Sequence, residues 1–380
     1  MTRLGGFARA LRSLATPYRQ RSKRWPGSGL TAHYALESAS GHAAVKDISA
    51  SGVRLLTQES LPAGKLISLT VRKRGEPNNG SDLQFSLPAR VTRLARNSVG
   101  LAMLVPPGTN ANVLEVILRN IHSVTDPEHT AEMFRTLRTV LFLGRLCGAE
   151  AEEPMLLLDG RLDSGRIANL FKIIDAAENL LAADPDAGRL RAHPRIVANI
   201  LRQGSWAPDQ LTLELWTGLL ASFCSLDGAA DDSNQVLIDL LANLTPTQAR
   251  ILNHACACNL NPAQGGDSAS GHVVLSLNEM IQLTGVHELG RNATDLAYLF
   301  NLGLIEKVFD FTTYRENDSF DITPSRLGLE FYKHSHGSRE KLESQLVESA
   351  REHLAVFLPP PIPLAYSIGT SESFPAFTDR

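Results

Sequence analysis

Cysteine, aromatic residues and long apolar runs are all scarce in this chain of 380 residues. Its four cysteines are scattered, which excludes a disulfide-stapled scaffold and favours a reducing compartment. No apolar run reaches the length of a membrane-spanning helix, and the first residues lack the apolar core of a signal peptide. We therefore expect a cytoplasmic protein without a transmembrane segment.

Acidic residues are missing from every position before Glu37, although the whole chain holds 40 acidic and 37 basic residues and a net charge of -3. That balance argues against bulk binding to nucleic acid or to an anionic membrane. The N-terminal end, in contrast, concentrates cations: Arg3, Arg9, Arg12, Arg19, Arg21, Lys23 and Arg24. We predict that residues 1–18 form a basic flexible arm and that anion binding takes place near this end.

The length of the chain predicts two or three domains. From Leu30 to Pro107 short apolar runs alternate with turn signals, which is typical of a small antiparallel β-barrel. After it the apolar period changes to that of helices. We expect a multidomain α+β protein with a barrel domain at 19–108, a helical-bundle domain at 109–244, a winged-helix-like domain with a terminal helix at 245–357, and a disordered tail at 358–380.

Six barrel strands are predicted, with a turn at residues 38–41 between the first two. They are Leu30–Glu37, Ala43–Lys46, Val53–Thr57, Leu66–Arg72, Leu83–Arg93 and Val99–Leu104.

The hexapeptide Asp47–Gly52 offers a carboxylate, two hydroxyls and a glycine between two predicted strands. We interpret it as a polar turn. The basic run 19–24 precedes it and supplies guanidinium groups, which are fork-shaped donors. Together the two segments predict a site for a planar, anionic ligand.

This arrangement resembles a PilZ domain over roughly residues 19–107, because a basic motif, Asp-x-Ser-x-x-Gly and a barrel ending in Val99-Gly100-Leu101 follow one another. The resemblance implies a bacterial protein of second-messenger signalling that binds cyclic di-GMP without any cofactor. Guanine presents O6 and N7 to an arginine fork, whereas a carboxylate or hydroxyl can accept from its N1–H and N2–H₂ groups. Gly52 would let the backbone turn where a Cβ would intrude. The implied ligand residues are Arg19, Arg21, Arg24, Asp47, Ser49 and Gly52.

The arginine motif departs from the family pattern, which has two arginines four residues apart. Arg24 suits the second position, but Gln20 stands at the first. Arg19 and Lys23 have the right spacing, yet a lysine cannot bind bidentately. Arg19 or Arg21 could supply the missing fork, and loss of ligand binding is the open alternative.

Near the C-terminal end, three predicted helices precede a predicted hairpin of Leu304–Phe311 and Ser319–Ile322. This is the order of a winged helix. The candidate recognition helix, Glu288–Asn301, contains only Arg291 as a basic residue, and the predicted wing is acidic. The charge argues against DNA binding and favours a protein-interaction winged helix.

Four short apolar motifs are similar to the abortive-infection alpha (Abi-alpha) family, over roughly residues 190–335. They are Leu215–Leu220, Leu244–Leu252, Leu302–Ile305 and Ile322–Gly328. The resemblance implies a link with phage resistance and no catalytic residues.

Catalytic and metal-binding patterns are weak in this sequence. His254, Cys256 and Cys258 lie close together, but positions two apart on a helix face different directions. No nucleophile elbow or phosphate-binding glycine loop is found. We expect a non-enzymatic protein without a metal.

The sequence therefore favours a cyclic di-GMP receptor that relays ligand binding to an unidentified protein partner through its helical region. The expected mechanism is ordering of residues 19–29 on the ligand. Two alternatives stay open: a phage-defence or interaction protein whose PilZ domain no longer binds, and a DNA-binding transcription regulator.

Overall fold

The computed structural model describes residues 23–36, 39–59, 61–73, 83–106, 109, 111–121, 127–148, 151, 154–155, 157, 162–226, 233–260, 272–306, 319–339 and 344–357. The predicted arm at 1–18 and tail at 358–380 lie outside these residues.

Seven strands form one antiparallel sheet in the N-terminal part that the structure describes. They are β1 Trp25–Pro26, β2 Leu30–Leu36, β3 Ala39–Ser49, β4 Gly52–Leu56, β5 Leu66–Lys73, β6 Gln84–Ala95 and β7 Ser98–Met103. The order is β1-β3-β2-β5-β6-β7-β4, and β4 also pairs with β3, so six of the strands close into a barrel. Closure removes the exposed edges that an open sheet of this size would have. The predicted six-stranded antiparallel barrel is confirmed.

Alternating side chains fill the barrel. In β6 the inward positions are Phe85, Leu87, Ala89 and Val91, and each is buried. Burial of each large apolar side chain stabilises the fold by about 1.5–3 kcal/mol. The predicted turn at 38–41 is wrong at its end, because β3 begins at Ala39 and Gly41 pairs with Tyr34. Strand β1 was not predicted, since two residues, one of them proline, give no alternation.

Eleven helices follow in the described residues, as the helical periodicity predicts. They are α1 Ala111–Asn120, α2 Pro127–Cys147, α3 Ser164–Ala182, α4 Pro194–Gly204, α5 Gln210–Ser222, α6 Ser233–Asn243, α7 Pro246–Leu260, α8 Leu277–Thr284, α9 Leu289–Asn301, α10 Arg326–Ser335 and α11 Ser344–Phe357. Local caps fix several starts: the side chains of Asp163, Asp209 and Ser325 accept backbone N–H bonds at α3, α5 and α10. At α8, Ser276 and Glu279 form a capping box.

Helix α2 joins two hydrophobic cores. Its N-terminal half, with Phe134 and Leu137, belongs to the barrel core, which also takes in Ile117 and Leu118 of α1. Its C-terminal half, with Phe142, belongs to the core of the helical region. The second core runs on without a break to Leu354 in α11 and so includes both predicted C-terminal domains. The predicted domain limits stay a prediction.

The C-terminal region contains a two-stranded antiparallel sheet of β8, Val274–Ser276, and β9, Ser319–Asp321. The sequence predicted a partner for β9 in 304–311, and the described part of that segment contributes one bridge, Ile305 to Pro324. Residues 307–318 lie outside the described part. Strand β8 was not predicted. The winged-helix interpretation stays a prediction.

No helix in the described residues is both long and apolar enough to cross a membrane.

A cleft of about 320 Å³ lies between the barrel and the helical region, where β6 meets α2 and α3. Its lining carries charges of both signs, from Arg138, Asp175 and Glu178. Burial raises the pKa of the Glu178 carboxyl, Arg145 and Arg138 act in the opposite direction, and Asp175 adds to the rise. The junction thus holds a carboxylate that is costly to ionise.

Replacing Glu178 with glutamine is expected to raise the melting temperature at about pH 8 by a few degrees. A carboxyl whose pKa is raised on folding contributes stability below its unfolded pKa, about 4.3 for glutamate, and loses it as pH rises through the folded value. The gain from Glu178→Gln should therefore vanish near pH 4. Melting curves at both pH values measure it, with Glu352→Gln, at an exposed position of α11, as the matched control. A gain of equal size at both pH values would contradict the assignment.

Candidate functional site

Strand β1 brings the basic run to the polar hexapeptide. Trp25 pairs with Ile48 and Pro26 with Asp47, so the chain around β1 runs antiparallel along the end of β3. The indole of Trp25 is 6% exposed and packs in the barrel core. The Gly27 N–H donates to the Lys46 carbonyl at 2.9 Å. Residues 25–27 are therefore fastened to the barrel wall, and Arg24 is placed beside Asp47.

A β-bulge turns Asp47 outward. The register of β3 against β4 shifts between Val45 and Asp47, with Lys46 as the additional residue. Val45 faces the core and Lys46 is exposed, so strict alternation would point Asp47 inward. The bulge instead leaves its side chain 18% exposed on the barrel surface. Bulges commonly re-aim a side chain at binding sites.

The Asp47 carboxylate lies between two guanidinium groups. Arg24 Nη1 donates to Asp47 Oδ1, and Arg54 Nε lies 3.6 Å from Asp47 Oδ2. Both arginine side chains are accessible, at 47% for Arg24 and 36% for Arg54. Exposed ion pairs of this kind contribute about 1 kcal/mol or less to stability. The groups are thus open to exchange with a ligand.

Ser49 and Gly52 shape the turn. Ser49 pairs with Gly52 across a two-residue turn, Ala50-Ser51, so the predicted polar turn is shorter than the hexapeptide. The Ser49 hydroxyl is buried and donates to the Gly52 carbonyl at 3.1 Å. A Cβ at Gly52 would overlap the Leu101 carbonyl oxygen of β7. Glycine is required here because the backbones of β4 and β7 meet without room for a side chain.

Four predicted ligand residues are brought to one end of β3: Arg24, Asp47, Ser49 and Gly52. Arg19 and Arg21 lie outside the described residues, as does Gln20. Sequence reasoning did not identify Arg54 as a site residue, because it stands within the apolar run after Gly52. The signal that could have found it is its position on β4, the strand that the turn folds back against Asp47.

Burial disfavours the thiolate form of all four cysteines by raising their pKa. Burial raises the pKa of Cys147, Cys224 and Cys256 to about 12. Cys258 Sγ lies 3.5 Å from His254 Nε2, whereas Cys256 Sγ points to the Gly328 carbonyl. Cys256 therefore points away from the His254–Cys258 pair, and the three side chains do not converge, as helical spacing predicts. The described residues contain no group of three or more potential metal ligands.

The apolar motifs of the helical region mark close backbone contacts. Gly218 of α5 faces the Ser335 carbonyl of α10, and Gly328 of α10 faces the Leu304 carbonyl, each without room for a Cβ. Gly218 and Gly328 stand in two of the four motifs identified in the sequence. In these two motifs the glycines therefore allow close backbone packing.

Two family models match the chain. The PilZ domain model matches residues 18–120, and the abortive infection alpha model matches residues 167–349. A search of the curated proteins finds no match. Among solved structures, the crystal structure of the Borreliella burgdorferi PlzA protein in complex with c-di-GMP is similar at 16% sequence identity and a TM-score of 0.22, over 31% of this chain and 56% of that chain.

The first match extends past the barrel into α1, in agreement with the packing of α1 in the barrel core. The second begins in α3 and ends in α11, within the second core. Both resemblances seen in the sequence are therefore confirmed: the chain matches the PilZ domain model and, further along, the abortive infection alpha model.

Proposed function

We propose that this protein is a cyclic di-GMP receptor whose barrel holds the nucleotide at Arg24 and Asp47. The observation that carries the proposal is the pairing of these two side chains on the outer wall, beside the Ser49–Gly52 turn, within the segment that matches the PilZ domain. A guanine needs a donor fork at O6 and N7 and an acceptor at N1–H and N2–H₂. The pair supplies one of each.

In the structure Arg24 and Asp47 are hydrogen-bonded to one another. A guanine edge can give each of them a hydrogen bond in place of the other, so binding leaves neither group without a hydrogen-bond partner. Ser49 has a different role in this proposal, because its buried hydroxyl is already bonded to the Gly52 carbonyl. It holds the turn in shape. Arg19 and Arg21 remain predicted contributors from the segment before Lys23.

The expected mechanism, ordering of residues 19–29 on the ligand, does not apply to the whole of that segment. Residues 25–27 are held by β1 pairing and by the Gly27–Lys46 hydrogen bond. Residues 25–27 are therefore left out of the proposed ligand-driven ordering. The relay to a protein partner would run through α2, which shares residues with both hydrophobic cores.

Calorimetric titration of the full-length protein with cyclic di-GMP tests the receptor proposal. We expect saturable binding to the wild type and at least a tenfold weaker affinity for Asp47→Ala, because a bidentate contact to a base discriminates by about 1–3 kcal/mol. Asp186→Ala, in an exposed loop of the helical region, is the matched control and should bind as the wild type does. A folded wild type that gives no binding heat would refute the proposal.

A phage-defence role is the second candidate, and the match to the abortive infection alpha model over residues 167–349 favours it. It is compatible with a barrel that binds or one that does not. Survival of bacterial cultures under phage challenge, with the wild-type gene and with a Gly218→Ala variant, would test it. Equal survival with and without the gene would exclude that role for the phages used.

DNA binding gains no support from α9, the candidate recognition helix. Asn292 is fully buried and donates to the Val286 carbonyl at 2.9 Å. Asp295 is 9% exposed and accepts from Gln248 Nε2 at 2.8 Å. These polar side chains serve internal packing and are turned away from any groove. We therefore rank a transcription regulator last.

A further inference from the structure

A row of outward positions crosses four strands of the barrel wall and begins at Asp47. Asp47 on β3 pairs with Arg54 on β4, Arg54 pairs with Gly100 on β7, and Gly100 pairs with Arg93 on β6. Directly opposed residues in antiparallel strands lie about 4.5–5.5 Å apart, so the row is continuous. It places a carboxylate, a guanidinium, a gap and a second guanidinium in line.

Two separate bulges aim the ends of this row outward. The first lies between Val45 and Asp47 in β3, and the second lies between Val91 and Arg93 in β6. Val45 and Val91 are both buried, so without the bulges Asp47 and Arg93 would point into the core. A charged side chain inside the barrel would be costly. An apolar residue at either position would have avoided that cost without a bulge. Two independent irregularities that expose charge at one row indicate a surface shaped for a ligand.

Gly100 forms the floor between the two guanidinium groups. It has no side chain, and its φ is outside the positive region, so backbone conformation does not require glycine there. A Cβ would lie 3.3 Å from the Cβ of Arg93, a tight but tolerable distance. The absence of a side chain therefore leaves a flat space between Arg54 and Arg93. Arginine stacks on purine faces and also pairs with phosphate.

We propose that Arg54 supplies the guanidinium fork that Gln20 cannot, and that one guanine of the ligand lies over Gly100 between Arg54 and Arg93. This inference rests on the proposed cyclic di-GMP binding and adds a second half to the same site. Arg54 is free to change partners, because its Nε lies 3.6 Å from the Asp47 carboxylate, beyond a normal hydrogen bond. Arg24, in contrast, is in direct hydrogen-bond contact with it.

Titrations of full-length variants with cyclic di-GMP test this assignment. Arg54→Ala is expected to bind at least tenfold more weakly than the wild type, and Arg54→Lys should recover little, because an ammonium group cannot bind bidentately. Gly100→Val should lose binding, because its side chain would fill the space over residue 100 that the guanine is proposed to occupy. The variant is compatible with the fold, since a β-branched residue suits a strand. Arg72→Ala is the matched control: Arg72 faces outward on β5, where it pairs with Gln84 at the opposite end of β6 from Arg93, and its removal should leave binding unchanged.

The outcomes separate the two proposals. If both Arg54→Ala and Gly100→Val bind as strongly as the wild type, the extended row is refuted and the Arg24–Asp47 site is retained. A wild type that does not bind overturns both. Melting curves of each variant show whether it is folded, and Gly100→Val tests the row even where Arg54→Ala fails to fold. Full binding by Gly100→Val alone would overturn the placement of the guanine over Gly100.

Discussion

Gly218→Ala is expected to destabilise the protein by about 3 kcal/mol or more. A Cβ at this position would overlap the Ser335 carbonyl oxygen, far inside the 3.0 Å below which such contacts essentially never occur, and would lie 2.9 Å from the His336 backbone nitrogen. Neither neighbour can rotate away, because both are backbone atoms at the end of α10. Helices α5 and α10 would have to separate, and the second core passes through their contact. Urea denaturation monitored by circular dichroism should show a clearly lower urea concentration at the transition midpoint.

Gly290→Ala is the matched control for this prediction. Gly290 also lies in a helix, α9, but nothing stands within 4 Å of the Cβ that alanine would add. Alanine favours the helix over glycine by about 0.5–1 kcal/mol, so this variant should be at least as stable as the wild type. Equal stability of Gly218→Ala and Gly290→Ala would show that the α5–α10 contact is looser than described.

Gly52→Ala is expected to open the barrel seam and to abolish ligand binding. The added Cβ would overlap the Leu101 carbonyl oxygen, so β4 and β7 could not keep their present distance. These strands pair over Gly52–Leu55 and complete the closed ring. We expect a cost of about 2 kcal/mol or more and loss of the geometry that places Arg54 beside Asp47.

Thermal melting and titration with cyclic di-GMP would measure both effects of Gly52→Ala. Gly100→Ala provides the comparison, since it adds the same methyl group to the neighbouring strand, where the nearest atom would be 3.3 Å away. Its stability should stay within about 1 kcal/mol of the wild type. If Gly52→Ala melts as Gly100→Ala does and binds as the wild type does, the close approach of β4 to β7 is not a requirement of the fold.

The barrel was predictable from sequence because alternation survives in most strands, as in β6 from Phe85 to Val91. The outward turn of Asp47 was not predictable. It depends on a one-residue bulge at Lys46, and a bulge leaves no periodic trace in a strand of this length. Arg54 was missed for a related reason: its partner is set by the β3–β4 register, which depends on that bulge.

The contact between Arg24 and Asp47 could not be predicted without knowledge of β1. Trp25 is the residue that could have indicated it, since a buried tryptophan so close to a basic run anchors that run to a core. In the helical region, the periodicity located the helices. The periodicity could not show that Gly218 and Gly328 lie at close backbone contacts. A short apolar motif has the same sequence pattern whether it packs in a core or binds a partner.

Helix α2 has a consequence for any attempt to use the barrel as an exchangeable sensor cassette. A cut at residue 108, where the β-pattern ends, would strip the barrel of Ile117, Leu118, Phe134 and Leu137, which are all fully buried against it. The severed piece would present an apolar face to water and tend to aggregate. A graft that keeps the barrel intact has to carry the chain through Leu141, and with it the part of α2 that leads into the other core. The barrel and the helical region are in this sense not two modules joined by a flexible linker, because one continuous helix is part of both cores.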